Sequence, residues 1–139
     1  MAGRDHASEA MKAVRAALVD DAAVSALIAG RVVDEPKPET AFPYVRFGSV
    51  EIARDDTDGA AGVVVQMGLV IHSRPVAGRI ETNKICAAIS EALHRGAASV
   101  SLLGIWDLEV QTWLVERASD GASYEGRLAL ALRLDDPAA

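Results

Sequence analysis

Hydrophobic and polar positions alternate cleanly from Val63 onward. Val63, Val65, Met67, Leu69 and Ile71 share one face of an extended chain, and Val64, Gln66, Gly68, Val70 and His72 share the other. Past Ser73-Arg74-Pro75 the period lengthens. Ile85, Ile89 and Leu93, flanked by Ala88 and Ala92, recur at helical spacing, while Glu81, Lys84 and Glu91 point away. Pro75 and Gly78 mark the junction, because proline keeps its predecessor extended and glycine relaxes the backbone there. A long strand thus hands over to an amphipathic helix, Ile80 to Arg95, that needs a surface to pack on.

The rest of the chain supplies that surface. Ser8 to Val19 reads as a helix with a narrow apolar stripe of Ala10, Val14, Ala17 and Leu18 and with Ser8 as its N-cap. Asp20 or Asp21 caps a second short helix, Ala22 to Ala29, which Gly30 stops. Arg31 to Pro38 is a short extended piece followed by a surface connection. Phe42 to Ala53 has the β-branched and aromatic character of a strand. Arg54 to Gly62 is polar and too long for a tight turn, so it forms an extended arm between two antiparallel strands. Ile105 to Arg117 and Tyr124 to Leu134 return to strand periodicity around an Asp120-Gly121 turn. In the latter, Tyr124, Leu128, Leu130, Leu132 and Leu134 oppose Glu125, Arg127, Ala129, Ala131 and Arg133. The order α-α-β-β-α-β-β predicts an α+β fold: a four-stranded, mainly antiparallel sheet with helices packed on one face. The other face carries Gln66, Gly68, His72, Glu109, Gln111, Arg127, Ala129, Ala131 and Arg133, a mixture suited to solvent or a polar partner.

Composition narrows the function classes. At 139 residues, with half of them hydrophobic and 24% charged, the chain reads as one globular domain spanning 1–139. A net charge of −6 argues against a protein that grips nucleic-acid phosphates from its own surface, although it suits a wall past which nucleic acid slides. A single cysteine, Cys86, allows no internal disulfide. The polar start and the lack of a long apolar run predict a protein made and kept in the cytoplasm, or built into something assembled there, with no membrane partner.

No catalytic constellation emerges. His6, His72 and His94 have no metal-ligand spacing, Cys86 reads as a packed helix residue, and no nucleophile elbow, zincin motif or phosphate loop occurs. Asp55, Asp56 and Asp58 lack the glutamate and further oxygen ligands that a calcium loop requires. No cofactor, metal or catalytic residue is therefore expected. Arg74 and Arg79, beside Pro75 and Gly78, either neutralise local carboxylates or reach a neighbouring subunit.

The ordered set of motifs resembles the tail-terminator, or tail-completion, family of long-tailed phages and gene transfer agents. The matching pieces are an alanine-rich first helix followed by DDAAVSALIAGRVVDEP, then FPYV at Phe42 to Val45, the acidic arm, Val70-Ile71-His72-Ser73-Arg74, Gly78-Arg79-Ile80-Glu81, Ala92-Leu93-His94 and the Asp-Gly turn. The likeness spans about residues 8 to 135. It departs at the arm, where Asp55-Asp56-Thr57-Asp58 stands in place of the tryptophan-bearing segment of relatives. The resemblance implies a non-enzymatic structural protein that forms a homo-hexameric ring capping the head-proximal end of the tail tube. Its partners would be the tail tube protein and a head-side connector or stopper, with DNA passing through the lumen without specific binding. Its place would be the head–tail junction of a virion or gene transfer agent particle assembled in the bacterial cytoplasm. Candidate interface residues are Arg54, Asp55, Asp56 and Asp58 in the arm, Arg74 and Arg79 at the corner, and Asp120 and Gly121 in the turn. The alternatives are another head–tail connector component, such as a stopper or tail tube subunit, or a small ligand-binding or enzymatic α+β domain.

Overall fold

The alternating segments pair into one twisted sheet, and the helical segments cover one of its faces. The computed structural model describes residues 4–56, 61–97 and 100–136. Helices α1 (His6–Asp20) and α2 (Ala22–Ile28) precede strands β1 (Val32–Val33), β2 (Tyr44–Arg54) and β3 (Gly62–Ser73). A short 3-10 turn, Pro75–Ala77, then leads into α3 (Gly78–Leu93), β4 (Ile105–Arg117) and β5 (Tyr124–Asp135). The sheet order is β1-β2-β3-β5-β4, antiparallel throughout except for β1, which runs parallel to β2. The expectation of four strands is thereby corrected to five. The extra strand is Val32–Val33 alone, opposite Val45 and Arg46, and two residues are too few to register as an alternation.

Strands β3 and β5 form the spine, with Val65 opposite Leu132, Met67 opposite Leu130 and Leu69 opposite Leu128. All six are at most 3% exposed, since α1 and α3 lie on this face. From α1 come Ala10, Ala13, Val14 and Leu18, and from α3 come Ile85, Cys86, Ile89 and Leu93. The alanines let α1 approach closely, which offsets its narrow apolar stripe.

Local signals set the helix ends, with some shifts from the expected residues. Helix α1 begins earlier, because the Asp5 carboxylate accepts the Ser8 N–H at 3.0 Å and takes the N-cap role expected of Ser8. Between the two candidates for α2, Asp21 is the cap, accepting from the Val24 N–H at 3.0 Å. Ala29, at φ 52°, closes α2 one residue before Gly30.

In β4 the simple alternation does not hold. Its register slips between Ile105 and Asp107 and again between Val110 and Thr112. The second slip exchanges the faces. Trp113 and Val115 stand opposite Leu128 and Gly126 on the helix side, while Thr112 and Leu114 stand opposite Ala129 and Arg127 on the uncovered side. A further slip between Phe47 and Val50 bends β2.

Candidate functional site

The uncovered sheet face and the two ends of the strands are the surfaces on which function can act. Every residue expected on that face from sequence lies there or at its rim. Near the start of β2, Tyr44 and Arg46 are opposite His72 and Val70, and across β3 these are opposite Glu125 and Arg127. The Arg46 Nε–H donates to His72 Nε2 at 2.9 Å, and the Tyr44 ring stacks on His72 with centroids 4.8 Å apart. His72 Nδ1 faces Glu125 at 3.9 Å, and Arg127 bonds Glu125 at 2.8 Å. Accepting from Arg46 requires His72 Nε2 to be unprotonated. Burial pushes the His72 pKa down, and Arg46 and Arg127 add to this against the opposing pull of Glu125. Val70, between Arg46 and Arg127, is only 3% exposed because long arginine stems shield apolar surface.

Toward the middle the face becomes small and polar. Ser49, Gln66, Gly68, Gln111 and Ala129 line a shallow depression of about 210 Å³. Beyond it Arg133 bridges Asp107 and Glu109 at 3.3 and 3.4 Å. The arginines of this face are each matched to carboxylates or to His72, so it presents paired charge and not a cationic stripe. Sequence reasoning passed over Tyr44 and Arg46. Their alternation with Val45 and Phe47 is visible in the sequence, but their meeting with His72 depends on strand register.

At one end of the sheet, Ser73, the corner and the Asp-Gly turn come together around Tyr124, which is opposite Ser73. Glu81, in the first turn of α3, holds the corner. It accepts the Ser73 hydroxyl at 2.7 Å, the Arg74 N–H at 3.1 Å and the Arg74 guanidinium. Burial alone would raise the Glu81 carboxyl, but these bonds outweigh it and hold it below its ordinary range. Arg74 therefore serves the local carboxylate. Arg79 stacks over Tyr124, its guanidinium carbon 5.3 Å from the ring centroid, and Arg117 does the same at 5.4 Å. Asp120 accepts from the Ala122 and Ser123 N–H groups and from the Ser123 hydroxyl, and the Ser123 and Ala122 backbone bonds hold its carboxyl low. Gly121, at φ 73°, supplies the left-handed residue the turn needs. Arg74, Arg79, Asp120 and Gly121 thus share one end of the molecule.

The arm residues sit at the other end, β3 separating the two by roughly 36 Å at about 3.3 Å per residue. Arg54 is exposed at the end of β2. The Asp55 N–H donates to the Gly62 carbonyl at 2.9 Å, and Asp56 accepts the Gly62 N–H at 3.1 Å, so this pair closes the base of the arm. Asp58 lies outside the described residues.

Cys86 is fully buried under α3, and burial pushes its thiol up to about 12, which leaves no thiolate for nucleophilic work. His94 accepts the Val110 N–H through Nδ1 at 3.0 Å, tying the end of α3 to β4. Among the described residues no three His, Cys, Asp or Glu side chains converge as a metal site would require. No described helix is long and apolar enough to cross a membrane.

Comparison with known proteins gives two findings. A family model described as Tail completion protein gp17 matches residues 2–135. A solved chain described as "Virion of native gene transfer agent (GTA) particle" has the same fold, with a TM-score of 0.82 and 23% identity over 96% of this chain and 99% of that one. Comparison with curated protein sequences gives no match.

Proposed function

Because the chain belongs to the tail completion protein gp17 family, we propose that it is a tail terminator, a structural protein that caps the head-proximal end of a tail tube as a hexameric ring. The family match over residues 2–135 carries this reading. In it, the whole chain acts as one non-enzymatic domain of a virion or gene transfer agent particle assembled in the bacterial cytoplasm. It joins tail tube protein on one side to the head-side connector on the other.

The geometry fits a part with two functional ends. The corner and turn residues Arg74, Arg79, Asp120 and Gly121 stand at one end of the strands, and Arg54, Asp55 and Asp56 stand at the other. In the proposed ring these ends contact different partners, and the uncovered sheet face lines the passage for DNA. Paired charges and small side chains there favour sliding over adhesion, since counterion release from phosphates needs unpaired cations.

The test adds the purified protein to polymerising tail tube protein and measures tube length and end structure by electron microscopy. Shorter tubes with a distinct cap at one end are expected. Tubes of unchanged length with bare ends would refute the terminator role, and tubes formed by this protein alone would identify a tube subunit instead. Deleting residues 56–59 should leave the isolated fold intact and lower capping, and unchanged capping would remove the arm from the contact.

A further inference from the structure

Among the described residues, each edge of the sheet is covered over a short stretch and open beyond it. On the β2 side, β1 pairs only with Val45 and Arg46, so Phe47 to Arg54 has no outer neighbour among the described residues. On the β4 side, the chain after α3 seals a short stretch. The Arg95 N–H donates to the Leu108 carbonyl at 2.8 Å, and His94 Nδ1 accepts the Val110 N–H. Among the described residues, the backbone of Thr112 to Arg117 pairs only with β5. Open strand edges present unpaired N–H and C=O groups that form a template for pairing with another strand.

The open halves are diagonally opposed. Leu114 is level with Arg127, Val70 and Arg46, near the corner end of the sheet. The centre of the open β2 segment, near Glu51, is level with Gln66. Both open segments carry large apolar side chains at the surface: Trp113 at 43% and Leu114 at 57% exposure on β4, and Ile52 at 42% on β2. Trp113 and Ile52 lie in the same layer, since their cross-strand partners Leu128 and Val65 both face the helices. Beside Phe47, a mainly apolar hollow of about 340 Å³, lined by Met11, Val32 and Val33, opens at the β2 edge.

We infer that the open half of β4 pairs antiparallel with the open half of β2 on a second copy of this chain. Three observations support this occupant. Direction is right: β2, β3, β5 and β4 alternate, so in any ring of co-oriented copies β4 meets the next β2 antiparallel. Layers match, with Trp113 coming against Ile52 while Val115 reaches toward the hollow and Leu114 covers the uncovered side near Glu51. Matching the centres of the two open segments also gives the stagger of a closed sheet. Bringing Leu114 level with Glu51 of the next copy shifts it by the distance from Val70 to Gln66. That is four residues, or roughly 13 Å, over the four long strands of each copy. About one residue of shear per strand is the proportion of a (β/α) barrel. Such pairing generates a heterologous, closing contact.

This inference builds on the ring in the proposed function but concerns its subunit contact, and the two can fail separately. The test introduces cysteine pairs on the uncovered side: Thr112, Leu114 or Glu116→Cys, each combined with Glu51→Cys or Ala53→Cys. Cys86 stays in place because it is buried. Oxidation of assembled protein, alone or on tube ends, should give a ladder of disulfide-linked multimers from at least one pair. Leu114→Cys with Ile52→Cys, on opposite sides of the sheet, should give none. Trp113→Lys should weaken self-association at least tenfold while leaving the circular dichroism spectrum and the melting temperature of the monomer unchanged. Rings in which no uncovered-side pair links, or a Trp113→Lys chain that assembles like the parent, would overturn the pairing while leaving capping to stand. Linked rings that never cap a tube would spare the pairing and remove the function. A parent chain that remains monomeric by mass, both alone and with tube protein, would refute the pairing outright.

Discussion

Replacing Gly126 by alanine probes how closely α3 rides on the sheet. Gly126 lies in β5 between Ile71 and Val115, on the helix side. A Cβ there would come 2.8 Å from Cys86 Sγ, 2.9 Å from Thr82 Cγ2 and 3.5 Å from Ile71 Cδ1. Thr82 and Cys86 are one turn apart on the buried face of α3, both 0% exposed, so neither can swing into solvent. Relaxed contacts between such atoms need about 3.5–4.0 Å, so the helix must lift by roughly 1 Å along this turn. Overpacking of this kind costs about 1–3 kcal/mol, and replacing a strand glycine returns about 0.5–1 kcal/mol of backbone entropy. Gly126→Ala is thus expected to destabilise by roughly 1–2 kcal/mol, read from equilibrium urea unfolding at an unchanged slope. Adding Cys86→Ala removes the closest contact but leaves Thr82. Cys86→Ala should therefore cost less in the Gly126→Ala background than alone, with a coupling of at least about 0.5 kcal/mol. An equally stable Gly126→Ala protein, or strict additivity in the cycle, would refute this account of the helix–sheet contact.

Three further outcomes follow from the polar contacts. Glu81→Gln should lower stability by about 1–2 kcal/mol at neutral pH by weakening its bonds to Ser73 and Arg74. Because the folded Glu81 pKa is depressed, that difference should be present above pH 4.5 and shrink as acid protonates the folded carboxylate; a gap that persists in acid would contradict it. His72 is also held below its ordinary 6.5, so the unfolded chain takes up the proton first as pH falls. The parent should lose stability below pH 6.5, and His72→Gln should flatten that slope in melting curves recorded at several pH values. Asp120→Ala should lower the melting temperature by freeing the Ala122 and Ser123 N–H groups, and an unchanged melt would show that the turn holds without them.

Where hydrophobic alternation was long and uninterrupted, the fold could be read from sequence. The facing sets of β3 and β5 follow from Val63–Ile71 and Leu128–Leu134, because a one-residue slip would expose every core side chain. Strand β4 resisted the same reading. Its two register slips are backbone events without a residue signature, and they carry Trp113 and Leu114 to faces opposite those that simple alternation assigns. Strand β1 reads from sequence only as an extended piece, since its identity as a strand depends on Val45 and Arg46 arriving beside it. The candidate residues divide on similar grounds. Asp120 and Gly121 announced their turn through local chemistry. Arg74 offers two readings, and the local one, its pairing with Glu81, depends on how the corner folds.

The strand-to-helix corner and the half-covered edges fit together as parts of one assembly logic. A fully open edge would let copies pair in several registers, because backbone hydrogen bonding along a strand repeats every two residues. Here β1 blocks β2 at Val45–Arg46, and the turn after α3 blocks β4 at Leu108–Val110. Each block ends the available segment on one side, so two copies can overlap only along the diagonal halves. Under the inferred pairing, these blocks set the stagger, and the stagger sets the tilt at which a ring closes. An incomplete ring would still carry one open β2 edge and one open β4 edge with Trp113 and Ile52 exposed. Closure alone removes both, which favours completed rings over chains of intermediate length.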